Sequence, residues 1–238
     1  MRFEKTDVWG FEHAIRGARN PMNSWHKSDS KFFNNYDEGI RDFIIGDNDL
    51  DLMQRLIKGG SEHRKFMRQI MVSIDITAPL YWWKEFDTYK IGTTANSTST
   101  MHKLASTPII LDCFETDDYD PDIIFEEGVD DSGDYPSHYT EDIGCVIGER
   151  GDNYYSEETL ISFLESLRKK YLETKDKRYW KELIRWLPES YLQTRTVTMD
   201  YENLYSIVRQ RKGHKLTEWA AFIEWVHTLP YADELIFI

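Results

Sequence analysis

The residues from Gly92 to Thr100, Gly-Thr-Thr-Ala-Asn-Ser-Thr-Ser-Thr, form a run of small hydroxyl side chains. With a turn-like backbone such a run can present N–H groups to a phosphate. Arg185 and Arg211 are guanidinium groups whose simplest partners are Glu182, Glu189 or the acidic stretch that precedes them. Asp200 and Glu202, two residues apart, read as a proton-handling pair or a solvated helix face, the latter being the commoner role for helical carboxylates. His13, His26, His63, His102, His138, His214 and His227 include no HExxH and no Cys/His pairing at zinc spacing, so no metal site is expected. Neither GxGxxG after a strand, GxxxxGK[ST] nor GxSxG occurs, which leaves dinucleotide, phosphate-loop and serine-hydrolase chemistry without their usual signatures.

These residues need a scaffold, and the periodicity supplies one. Arg2 to Val8 reads as a strand, and Phe11 to Arg19 has helical spacing that stops before Asn20-Pro21. Asn23 to Asp37 is polar and aromatic, which predicts a loop. Leu50, Met53, Leu56 and Ile57 share one helix face, ended by Gly59-Gly60. Ile70, Val72, Ile74 and Ile76 then alternate with Met71, Ser73, Asp75 and Thr77, the period of a strand with one buried face, and Pro79 ends it. Leu80 to Phe86 is a short aromatic helical segment, with Trp82 and Trp83 as core or subunit contacts rather than a stacking platform. Helices are expected over a stripe from Leu160 to Tyr171, then over Tyr179 to Leu187, Ser190 to Arg211 and Thr217 to Thr228. The expected class is α/β (α+β): a mixed sheet with long C-terminal helices, one domain over residues 1–238, and an acidic loop inserted at about 115–140.

Charge singles out that loop. Of the 20 residues from Glu115 to Asp134, 10 are acidic and none is Lys or Arg. The whole chain carries 29 Lys+Arg against 42 Asp+Glu, a net of −13, so the rest is nearly neutral. Such a balance argues against general nucleic-acid binding, which lives on counterion release. The loop itself is a solvated lid or a docking site for a basic partner. Only Cys113 and Cys145 are present, which suits a reducing compartment, and no apolar stretch approaches the length of a membrane span. A cytoplasmic protein without membrane attachment is expected.

The segment from His63 to Leu104 resembles the signature region of the flavin-dependent thymidylate synthases, whose fold is also called thymidylate synthase-complementing-protein-like. That family has a histidine, an alternating strand ending in a Pro-Ile-Phe-like turn, then R-Q-W-x-R-H-R-x-x-S-x-N-E-x-S-x-R-Y and a Lys-Leu. Here the matching residues are His63, the strand to Ala78-Pro79-Leu80-Tyr81, the run from Lys84 to Lys90, then Thr93, Ala95-Asn96, Thr98, Thr100-Met101 and Lys103-Leu104. A second block follows about 80 residues later. The family's E-x-x-R-x-x-L-P is similar to Glu182, Arg185, Leu187 and Pro188, with one residue fewer. Its later helix, N-x-R, a downstream Arg and H-A-Q-x-E, aligns with Asp200, Glu202, Arg211, His214, Leu216 and Glu218.

The resemblance implies an enzyme that transfers a one-carbon unit to C5 of a pyrimidine deoxynucleotide monophosphate such as dUMP, in nucleotide biosynthesis. Its partners would be that nucleotide and three further copies of the chain in a homotetramer. It implies FAD as cofactor, with methylenetetrahydrofolate and NADPH where the family's chemistry is kept. By the same resemblance Arg185, Arg211, Asn96, Thr98 and Thr100 hold the substrate, and His63, Lys90, Tyr89 and His214 line the cofactor pocket; catalytic residues are not assigned. The family's R-H-R and N-x-R groups face the flavin ring and phosphates. Here Thr88-Tyr89-Lys90 keeps one cation, while Asp200 and Glu202 reverse the sign. That departure supports the alternative of a non-catalytic nucleotide-binding or regulatory protein on the same fold.

Overall fold

The computed structural model describes residues 1–35, 40–117 and 157–238. They fall into two compact units, Met1–Ser99 with Tyr191–Ile238, and Thr100–Ser190. In the first unit β1 (Arg2–Trp9) and α1 (Phe11–Arg19) are followed by β2 (Lys31–Asn35), β3 (Ile40–Ile44) and α2 (Asp47–Lys58). Then come β4 (Met71–Pro79), α3 (Leu80–Phe86) and β5 (Thr94–Ser97). The second unit holds α4 (Thr100–Lys103), α5 (Glu157–Thr174) and α6 (Lys177–Arg185), and the first resumes with β6 (Leu192–Asp200), α7 (Tyr201–Arg211), α8 (Thr217–His227) and α9 (Ala232–Leu235).

The period-2 pattern of β4 sets the architecture of the first unit. Val72, Ile74, Ile76 and Ala78 are buried on one face and pair across to Met199, Val197, Arg195 and Gln193 of β6. Every pairing in the four-stranded sheet β1-β4-β6-β5 is antiparallel, where a mixed sheet is expected from sequence. The aromatic α3 completes the core: Trp82, Trp83 and Phe86 pack with Trp219 and Phe222 of α8, ring centroids lying 4.8–6.2 Å apart. Burying such rings is worth roughly 2–3 kcal/mol apiece, which makes this cluster the main anchor of the sheet. The expected core role of Trp82 and Trp83 is thus observed.

The opposite face of the sheet carries hydroxyls. Thr77 and Thr194 lie 2.7 Å apart across the β4/β6 pair, and Thr196 donates to Asp75 at 2.5 Å. Lys5, at a bulge in β1 with φ of +54°, reaches the same carboxylate at 2.8 Å. These cross-strand pairs replace an apolar layer on that side.

Between α1 and α2 sits a buried ion pair, Arg19 Nε donating to Asp49 Oδ1 at 2.5 Å. Asp49 Oδ2 accepts from the hydroxyls of Ser28 and Ser30, both at 2.6 Å, and from the Asp29 and Ser30 amides. Burial opposes the charge on Asp49, but these donors outweigh it and hold the carboxyl below its usual range. Asp29 in turn accepts from the Asn48 and Asp49 amides at the start of α2, so residues 28–30 are tied to that helix end.

In the second unit, Leu164 of α5 and Leu183 of α6 are buried. Glu165 accepts from the Ile109 amide at 3.0 Å and from Arg168, which also donates to the Ala105 carbonyl. Asp176 caps α6 by accepting from the Arg178 amide.

Most expected elements are observed, and three are corrected. Leu192–Asp200 is a strand, where a helix is expected from Ser190: Thr194, Thr196 and Thr198 are β-branched and alternate with Val197 and Met199, and Asp200 caps a helix that begins only at Tyr201. The expected loop from Asn23 to Asp37 contains β2, which pairs with β3 as a hairpin. The polar run after Gly92 contains β5, an edge strand paired to β6. Most of the acidic loop, residues 118–140, and Cys145 and His138 lie outside the described residues. No described helix is long and apolar enough to cross a membrane.

Candidate functional site

Glu85 is the hub of a polar cluster at the end of α3. Its Oε2 accepts from Arg211 Nη1 at 2.8 Å and from Trp219 Nε1 at 2.8 Å, with His214 Nε2 at 3.4 Å. The Leu216 amide donates to His214 Nδ1 at 3.2 Å, and Arg211 Nη1 lies 3.3 Å from His214 Nε2. Arg211 Nε donates to the Tyr89 hydroxyl at 2.8 Å, and the guanidinium lies 4.5 Å from the Trp219 ring centroid. Local sequence explains the convergence. Glu85 and Tyr89 bracket the C-terminus of α3, while Arg211 ends α7 and His214 follows the turn at Gly213, whose φ is +71°.

This arrangement orients a cation. Arg211 spends its Nε and one Nη1 hydrogen on Tyr89 and Glu85, and the planar fork keeps its Nη2 hydrogens in a fixed direction. A guanidinium held in this way can meet a phosphate or carboxylate with little loss of side-chain freedom.

Around the start of α7 the carboxylates are committed. Asp200 accepts from the Asn203 amide at 2.8 Å, and Asn203 Oδ1 accepts from the Asp200 amide at 3.3 Å, closing a capping box. Burial raises the Asp200 pKa above the ordinary carboxylate value, and the Asn203 and Glu202 amides only partly offset this. Glu202 is buried and pairs with Arg64 at 3.2 Å and with Arg68. Neither carboxylate is the solvated face expected from sequence, because Asp200 is buried as the cap of α7 and Arg64 and Arg68 reach Glu202 from the turn before β4. Asn203 Nδ2 also donates to the Ile91 carbonyl at 2.8 Å. Gly92, at φ of +76°, lies so close that a Cβ there would stand 2.7 Å from Asn203 Oδ1. Next to it, Thr93 Oγ1 is buried and has no hydrogen-bond partner among the described residues.

Of the residues singled out in sequence, Tyr89, Arg211 and His214 are brought together. Lys90 is exposed in the turn just before Ile91. Asn96 stands on β5 opposite Thr196. Thr98 gives its amide to Thr194 and its carbonyl to Gln193, so its main chain is spent on the sheet. His63 is exposed at the turn after α2, its amide bonded to Gly60. Thr100 opens α4 and Arg185 ends α6, both in the second unit, with Arg185 paired to Glu182 as its sequence neighbourhood suggests. Glu85, Trp219, Arg64 and Arg68 were not singled out as site residues, since nothing in their sequence surroundings announces partners more than a hundred residues away. Among the described residues no three His, Cys, Asp or Glu side chains gather as a metal site would require.

No protein-family model matches the chain, and no curated protein matches it in sequence. Solved structures do match. Two of them, both the flavin-dependent thymidylate synthase ThyX from Helicobacter pylori complexed with FAD and dUMP, superpose with a TM-score of 0.62 at 16% identity. The matches cover 99% of this chain and 98% and 97% of theirs. The chain has the ThyX fold. The ThyX-like likeness spans the chain and is a likeness of fold, carried by the α/β arrangement of antiparallel sheet and packed helices.

Proposed function

We propose that this chain is a divergent relative of the flavin-dependent thymidylate synthases that binds a pyrimidine deoxynucleotide monophosphate of the dUMP kind and transfers a one-carbon unit to C5 of its base. The observation that carries the reading is Arg211, oriented by Glu85 and Tyr89 beside His214 on a ThyX fold. In this reading Arg211 meets the nucleotide phosphate and the orphan Thr93 hydroxyl offers a hydrogen bond. Asn96 and Thr98, in the same unit as Arg211, are the further substrate contacts, and His63, Lys90, Tyr89 and His214 line the cofactor side. Four copies would assemble, as the family resemblance implies, and the setting would be cytoplasmic.

FAD is the cofactor held by the ThyX neighbours. The first turn of α7 does not suit a flavin phosphate. Its Asn203 amide is taken by Asp200, and the positions that the resemblance assigns to flavin contact carry two buried carboxylates. A phosphate there would find Arg64 and Arg68 already committed to Glu202 and no free donor at the Asn203 amide. Any flavin in this chain would be held through other contacts.

A second reading is nucleotide binding without chemistry, in a regulatory role. The locking of Glu202 by Arg64 and Arg68 favours it, because that cluster is internally neutralised and asks for no cofactor. The visible spectrum of the purified protein with and without FAD or FMN, run beside calorimetric titration of dUMP and dCMP, separates the readings. Flavin absorption with nucleotide affinity supports the synthase. Nucleotide affinity in a colourless protein that flavin does not reconstitute supports the second reading, and no nucleotide affinity removes both.

A further inference from the structure

The first unit contains a cleft of about 320 Å³ between α1, the 28–30 segment and the β2/β3 hairpin, apart from the residues of the proposed function. Its wall is aromatic. Phe32 and Phe43 meet edge to face, centroids 5.0 Å apart, and Trp25 lines the same space. The Trp25 indole is 51% exposed, yet it is fixed in orientation by Nε1 donating to Asn20 Oδ1 at 2.8 Å. A large ring held at the surface leaves apolar area in water that a ligand would cover.

The charges around the cleft favour an anion. Arg16 projects from the last turn of α1, and its one described side-chain contact is His13 Nδ1 at 3.4 Å; Lys31 opens β2. Neither has a carboxylate partner among the described residues, whereas Arg19, deeper in, is neutralised by Asp49. Among the described residues Glu12 is the single acidic side chain in the lining. The floor is rigid, because Ser28 and Ser30 are bonded to Asp49. The exposed Trp25 ring, two cations with no carboxylate partner among the described residues and a volume at the lower end of the small-molecule range describe a site for a planar ring carrying an anionic group.

We propose that this cleft binds a nucleoside monophosphate, its base on Trp25 and its phosphate between Arg16 and Lys31. The proposal stands apart from the proposed function, since it uses none of those residues. The test is calorimetric titration of the full chain with AMP, and with adenosine and inorganic phosphate separately. AMP should bind, and each half alone should bind about tenfold more weakly. Trp25→Ala and Arg16→Ala, both at exposed positions, should each cost about tenfold in AMP affinity while leaving the far-ultraviolet circular dichroism unchanged. Arg211→Ala should leave AMP affinity as it was. Absence of AMP binding at millimolar concentration, binding indifferent to Trp25→Ala and Arg16→Ala, or binding abolished by Arg211→Ala would each overturn the proposal.

Discussion

Arg211 and Glu85, 126 residues apart in sequence, meet at 2.8 Å at the junction of α3 and α7. Glu85 accepts two hydrogen bonds while remaining one-third exposed, and Arg211 keeps part of its fork unclaimed. The pair is therefore both a fastener of the fold and a means of aiming a cation.

Truncating the two partners should separate those roles. Glu85→Ala strands Arg211 and the Trp219 Nε1–H, and should lower stability by about 2 kcal/mol in urea unfolding. Arg211→Ala should weaken dUMP binding by about 2 kcal/mol through loss of a charge-assisted contact. Calorimetric affinity equal to that of the parent chain would take Arg211 out of the nucleotide site.

Asp49 sets an acid limit. Its carboxyl is depressed in the folded state, so its stabilisation is present above the unfolded carboxylate value of about 4 and is lost as pH falls through the folded value. Asp49→Asn should remove that part of the acid dependence. It should also destabilise the protein at neutral pH by about 3 kcal/mol, because Arg19 stays buried without its charge partner. Thermal melting of both proteins across the acid range checks the slope.

Asp200 should behave in the opposite sense. Its raised pKa means that ionisation is penalised in the folded state, so the penalty is absent at low pH and grows as pH rises through the carboxylate range toward the raised value. Asp200→Asn, which can still cap α7, should match or exceed the parent's stability at neutral pH, whereas Asp200→Ala should lose about 1 kcal/mol. An Asn variant as unstable as the Ala variant would show that the charge itself is needed.

Gly92 tests the closeness of the loop to α7. Gly92→Ala combines a positive φ with a Cβ placed 2.7 Å from Asn203 Oδ1, and should cost about 1–3 kcal/mol in denaturant unfolding. A neutral outcome would mean that residues 90–92 adopt another path.

The sheet was legible where one strand carried its own signal. β4 alternates cleanly because one face is core and the other holds Ser73, Asp75 and Thr77. Its partner β6 hid for a physical reason. Arg195 stands on its inner face, with its guanidinium 4.2 Å from the Trp83 ring centroid, so the strand lacks the apolar repeat of β4, and it runs directly into the helix that Asp200 caps. The site was legible in one half only. Tyr89, Arg211 and His214 could be pointed to by family resemblance, but their hub Glu85 could not, because an ion pair spanning 126 residues leaves no local pattern. Asp200 and Glu202 looked solvated for the same reason, since Arg64 and Arg68 reach Glu202 from more than a hundred residues away.

Asn203 closes the cap of α7 with one end of its carboxamide and holds the Ile91 carbonyl with the other. A single side chain thus couples the α3–β5 loop to the helix like the pin of a latch. Anything that lifts Ile91, whether a ligand settling against Lys90 or a neighbouring copy pressing on this exposed stretch, must loosen the pin. Fraying of the first turn of α7 would then be felt at its other end, where Arg211 stands. In amide hydrogen exchange, residues 90–92 and 200–203 would open together, and their shared opening rate would report how firmly the guanidinium is aimed.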